Sequence, residues 1–285
     1  MSVPARHMRI RWGGASDRGL RRAENQDAMY ADIGLFVVAD GMGGHLGGSV
    51  ASSLAVKTVA ANSPSTPSEL LAAVRHANQV VHHRSNTHAD LTGMGTTLCA
   101  IAVVQHAEQR VWCLVNVGDS RVYRYHGGEL VQLTIDHNFV AELVRAGDLT
   151  VEQAAEHPRR NTLTRAVGVE PDVKIDDWVL ELSGNDRFLL CTDGITNELE
   201  ESDIRELLDV EQHPSDIARS LVRQANDRGG RDNSTALVVD VDIAGGPDEP
   251  VLAAAAAPAP RHPRRGSSVA QRTSRRRGRR RTRAR

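Results

Sequence analysis

Four aspartates stand at the ends of apolar runs, each followed by glycine or a small polar residue: FVVADGMGG (Asp40), LVNVGDSRV (Asp119), RFLLCTDGI (Asp193) and, ahead of its run, GGRDNSTALVV (Asp232). One such aspartate is a turn or a cap, since Asp-Gly is an easy way to end a strand. Four with the same local grammar point to carboxylates converging at one edge of a sheet structure, where like charges held close repel and a cation relieves them. No matching cluster of His or Cys accompanies them. Oxygen-only ligation selects Mg²⁺, Mn²⁺ or Ca²⁺ over zinc, and four carboxylates suffice for a pair of ions. A two-metal site can generate a hydroxide nucleophile and stabilise a developing oxyanion.

The loop after Asp40 carries Gly41, Gly43, Gly44, Gly47 and Gly48, and such a bare backbone suits an ion or a phosphate. The spacing lacks the third glycine of a dinucleotide loop and no Lys follows Gly48, which excludes both nucleotide-loop readings. Upstream, RRAENQDA places Arg22 and Asp27 before the first core run. An arginine there can grip a phosphoryl group through two parallel hydrogen bonds.

The elements that must position these residues follow from periodicity. Apolar runs at 35–39, 97–104, 111–117, 121–125, 178–182, 187–191 and 236–243 read as strands. Apolar residues at helical spacing mark helices over 50–61 and 69–83, each after a Ser able to cap it, and over 202–208 and 215–226, each opening on a Ser. Strands come in groups and helices in pairs, so the expected class is α+β: a sandwich of mainly antiparallel sheets with helix pairs outside. Residues 135–165 fall between core strands and contain two short amphipathic segments. His82, His83 and His88, late on or just after a helix and far from the aspartate motifs, read as a solvated surface.

Bulk composition, 40% hydrophobic and 25% charged over 285 residues, is that of a globular protein. Cys99, Cys113 and Cys191 sit singly inside apolar runs, which excludes a disulfide framework and a thiolate zinc site and implies a reducing, cytoplasmic setting. No apolar export segment opens the chain, and the Ala253–Ala257 run is too short for a membrane span. The formal charge of −1 hides an asymmetry: residues 246–285 hold twelve Arg against Asp248 and Glu249, a net of +10, leaving 23 basic and 34 acidic residues in 1–245. Residues 1–245 are therefore expected to form the folded domain, and 246–285 a disordered basic tail that binds polyanions non-specifically. Without aromatic residues the tail has nothing to stack on bases, so specific nucleic-acid recognition is not expected of it. Ser and Thr among its arginines offer sites a basic-directed kinase could modify.

Eight blocks in chain order carry a resemblance: RAENQD (22–27), DGMGG (40–44), GTTL (95–98), VGDSRVY (117–123), LTIDH (133–137), LTRAVG (163–168), CTDG (191–194) and DNST (232–235). Together they resemble the metal-dependent type 2C (PPM) serine/threonine protein phosphatases in their compact bacterial form. The resemblance implies a four-layer α-β-β-α sandwich and two Mn²⁺ or Mg²⁺ ions per site. Asp40 would bridge the ions, the Gly41 carbonyl would ligate one, and Asp193 and Asp232 would complete the other. Asp119 would join Asp193 in a third, weaker site, Asp27 would orient water at the metals, and Arg22 would bind substrate phosphate. The reaction implied is direct attack of metal-bound hydroxide on phosphoserine or phosphothreonine, opposing cognate kinases, by a protein expected to be monomeric. Met42 stands where animal relatives carry a His proposed as general acid, and His45 is the candidate to replace it. Residues 135–165 correspond to the family's mobile flap. Two other readings are a phosphatase acting on a phosphorylated anti-sigma-factor antagonist, and a catalytically silent phosphoprotein-binding module.

Overall fold

The computed structural model describes residues 7–44 and 46–244; His45 and the basic segment 246–285 lie outside the described residues. Two antiparallel sheets stack face to face. The first contains β1 (His7–Asp17), β7 (Arg121–His126), β8 (Glu129–Gln132), β10 (Asp186–Cys191) and β11 (Ser234–Ala244), in the order β1-β11-β10-β7-β8. The second contains β2 (Asp27–Asp32), β3 (Leu35–Met42), β5 (Leu98–His106), β6 (Gln109–Val117) and β9 (Asp176–Glu181), in the order β2-β3-β5-β6-β9, with the short β4 (Gly95–Thr96) paired to the end of β3.

Both faces of each central strand are apolar because each sheet is covered twice. On β3, Phe36 and Val38 point between the sheets while Val37 and Ala39 point to the outer helices. The inter-sheet layer is threaded by aromatic rings: Trp12, Phe36, Trp112 and Phe188 lie in sequence with centroids 5.6, 6.3 and 5.3 Å apart. Burying each such ring is worth roughly 1.5–3 kcal/mol or more. Helices α1 (Gly47–Asn62) and α2 (Pro67–Thr87) cover the second sheet. The first is covered by α5 (Asp193–Thr196), α6 (Glu201–Leu208) and α7 (Pro214–Arg228). The result is the expected four-layer α-β-β-α sandwich. Between β8 and β9 the chain leaves the sheets to form α3 (Phe139–Ala146) and α4 (Val151–Ala155), the two short helices anticipated over 135–165.

Several local expectations are corrected. β1, β2, β4 and β8 were absent from the sequence reading. Thr66, not a serine, caps α2 by accepting from the Glu69 N–H, and α1 has no side-chain cap. Asp40 does not end its strand: β3 runs on to Met42, first opposite Asp27 of β2 and then opposite β4. His82 is half-buried and contacts the Gly168 carbonyl through Nδ1. All three cysteines are free and buried.

Candidate metal centre

The aspartates are delivered to one end of the sandwich by different elements. Asp40 is on β3 and Asp27 directly opposite on β2; Asp119 is in the turn joining β6 to β7, Asp193 is the first residue of α5, and Asp232 lies in the loop entering β11. Asp119 is buried and Asp27, Asp40 and Asp193 are half-buried, and each feels the charge of its neighbours. Burial first, then like charge, raises the pKa of Asp40 well above the usual carboxylate range. The same two causes push Asp119 to about 7, burial again leading. For Asp27 burial prevails over hydrogen bonds from Thr235 and Thr192, leaving it near 7 as well. A cleft that penalises its own carboxylates in this way is an electrostatic sink for a cation.

Orphaned oxygens support the same reading. Asp27 Oδ2 accepts from Thr192 Oγ1 at 2.9 Å and Thr235 Oγ1 at 2.7 Å, yet Oδ1 is buried without a partner. Asp193 Oδ2 accepts from Asn197 at 2.9 Å while its Oδ1 is likewise buried and unpartnered. Each such atom costs about 1–3 kcal/mol unless something else satisfies it. Among the described residues no three His, Cys, Asp or Glu groups stand close enough together to hold an ion as they are. The donor set, all oxygen, fits Mg²⁺ or Mn²⁺.

Arg22 has its guanidinium 2.6 Å from Asp232 Oδ2 and more than half exposed. Its hydrogen bond to Asp232 raises its pKa further, so it is always charged. The segment carrying it is anchored by Asn233, whose Oδ1 accepts from the Gln26 N–H at 2.8 Å and whose amide donates to the Arg18 and Glu24 carbonyls. A second brace is Thr97: its hydroxyl accepts from the Asp40 N–H and pairs with Ser120 Oγ at 2.6 Å, tying the Asp40 strand to the Asp119 turn. Asn233, Thr97, Thr192 and Thr235 do not stand out individually in the sequence, although all four lie in its motif blocks.

Gly41 and Gly48 permit a close backbone approach. A Cβ on Gly41 would lie 2.0 Å from the Gly48 carbonyl oxygen, so the start of α1 presses directly on the strand bearing Asp40. The flap stem closes the other side. Asn138 Nδ2 reaches Asp119 Oδ2 at 3.4 Å, and His137 Nδ1 accepts from the Gly118 N–H at 3.1 Å, which leaves the Nε2 proton for Asp176 at 3.1 Å. Arg160 and Asn161 of the flap line a small cavity together with Gly194 and Asp232. The flap is thus joined to the cleft rather than being a plain surface insertion.

The profile of the family described as protein phosphatase 2C matches residues 20–232. The chain belongs to the protein phosphatase 2C family. It is 40% identical over 255 residues to the serine/threonine protein phosphatase PstP of Mycobacterium tuberculosis, covering 86% of this chain but 48% of that protein, so it spans about half the length of that relative. With the serine/threonine phosphatase stp of Listeria monocytogenes it shares 39% identity over 246 residues, 80% of this chain and 94% of the relative. The crystal structure of the catalytic domain of PstP in complex with two manganese ions superposes with a TM-score of 0.73 at 36% identity, covering 82% of this chain and 99% of that one.

Proposed function

We propose that the chain hydrolyses phosphoserine and phosphothreonine in proteins, opposing the kinases that place those phosphates. The observation that carries this reading is the cleft itself, where five aspartates, two with buried unpartnered oxygens, gather beside an exposed arginine. Asp40, the Gly41 carbonyl, Asp193 and Asp232 would hold two Mn²⁺ or Mg²⁺ ions, and Asp119 with Asp193 a third. When bound, these cations supply Lewis acidity, lowering the pKa of water and offsetting phosphoryl charge. Arg22 binds a phosphoryl oxygen with the N–H groups its pairing with Asp232 leaves over. Asp27, oriented by Thr192 and Thr235, holds Oδ1 toward the cleft as acceptor for the proton of an incoming water. Met42 carries no proton, so the leaving alkoxide takes one from His45 or from water. Free buried cysteines support a cytoplasmic location, and among the described residues no helix is long and apolar enough to cross a membrane.

The test is phosphate release from a phosphothreonine peptide as Mn²⁺ is titrated, comparing wild type, Asp193→Asn and wild type with excess chelator. Turnover should require the metal and fall by about 100-fold or more in the variant. A folded protein that releases no phosphate at any metal concentration would sink the enzymatic reading.

A further inference from the structure

Beside the cleft lies a cavity of about 270 Å³ that the reaction as described does not use. Its inner wall is Met42, Ala166 and Val173, and its exposed rim carries Glu170, Asp172 and Lys174. Met42 follows Asp40 and Gly41 on β3, so the cavity opens onto the same strand end as the proposed metal ligands. The wall is held in place from outside. Asn78 of α2, almost fully buried, accepts from the Gly168 N–H at 2.7 Å and donates to the carbonyls of Glu170 at 3.0 Å and Pro171 at 3.1 Å. Gly95 completes it: a Cβ there would lie 2.8 Å from the tips of both Met42 and Val169, so the glycine gives these two side chains the space they share.

Charge around the cavity is unbalanced. Arg165, which also lines it, is matched by Asp176 at 2.6 Å. Among the described residues neither Glu170 nor Asp172 forms an ion pair, and Lys174 is the one positive charge beside them on the rim. The rim therefore presents one net negative charge above an apolar floor. That combination suits a side chain with an aliphatic stem and a cationic head.

We infer that this cavity is a specificity subsite receiving a lysine or arginine that flanks the phosphorylated residue of the substrate. The inference rests on the proposed phosphatase activity. The stem lies along Met42 and Val173 while the ammonium or guanidinium meets Glu170 and Asp172. Because these carboxylates are exposed, the preference they confer is moderate, about three- to tenfold in kcat/KM.

The test uses the Mn²⁺-loaded full chain and a set of phosphothreonine peptides bearing Lys, Met or Glu at each position from three before to three after the phosphoresidue. Hydrolysis of p-nitrophenyl phosphate by the wild type first establishes the phosphatase; its failure would refute that reading and not the subsite alone. Given that activity, Lys should be favoured over Glu at one position. The ratio should fall to about one in Glu170→Gln/Asp172→Asn and invert in Glu170→Lys/Asp172→Lys, both exposed changes that leave the core untouched. Equal rates for Lys and Glu peptides at every position, or a Lys preference that persists in both variants, would overturn the subsite.

Discussion

At the scale of single residues, the chemistry is carried by aspartates but their placement is carried by neutral neighbours. Asn233 uses its whole side chain to hold the Arg22 segment against Asp232 and is almost fully buried. Asn233→Ala should cost about 1–3 kcal/mol, seen as a lower unfolding midpoint. Turnover should suffer more than stability, because Arg22 loses its position: kcat/KM on a phosphopeptide should drop by roughly tenfold or more at temperatures where the variant is folded. A variant that melts lower but keeps full kcat/KM would show that Arg22 finds its place without this anchor. The aspartates themselves were legible because each sits at the edge of an apolar run with a small residue beyond it. The braces were not, since a lone Asn or Thr announces nothing until a distant strand supplies its partner: Thr97 meets Ser120, 23 positions away, only after β5 and β6 have paired.

Among elements, the glycine-rich loop and the flap stem show how backbone packing sets the site. Not every glycine in DGMGG does the same thing. A Cβ on Gly41 would strike the Gly48 backbone, whereas one on Gly44 would meet nothing within 4 Å among the described residues. Gly41→Ala should therefore destabilise by about 1–3 kcal/mol and depress turnover, while Gly44→Ala should be near neutral in both melting and activity assays. At the flap stem, burial leads in lowering the pKa of His137, with Arg165 adding to it and Asp176 opposing. A folded-state pKa below the unfolded 6.5 gives stability that is present above that value and lost as pH falls through the folded one. In chelator, the wild type should thus lose melting temperature below about pH 6.5 more steeply than His137→Gln; parallel profiles would remove His137 from the account. The central strands and helix pairs were legible from period. β1 was not, although Ile10 and Trp12 alternate with Arg9 and Arg11 in it, because the apolar alternation is short and runs into Gly13 and Gly14. Gly13 is there for another reason: a Cβ on it would lie 2.2 Å from the backbone of Ser215 at the start of α7.

For the molecule as a whole, the fold concentrates in one cleft a share of the negative charge that gives residues 1–245 their net of −11. Asp27, Asp40, Asp119 and Asp193 are all held against desolvation and mutual repulsion, so the metal-free protein is strained where it is meant to act. Binding of a divalent cation only to the folded chain adds RT ln(1 + [L]/Kd), about 2.7 kcal/mol at a hundredfold excess over Kd. Replacing one carboxylate by its amide relieves repulsion and weakens that binding at once, with opposite consequences in the two states. Asp40→Asn, which keeps a group able to hydrogen-bond Asp193, should melt above wild type in chelator and below it in saturating Mn²⁺. Such a crossing of the two melting curves would tie the cost of the acidic cleft directly to cation binding. If Asp40→Asn melts lower than wild type in chelator and Mn²⁺ raises both proteins equally, Asp40 is a structural carboxylate and the ions are held elsewhere.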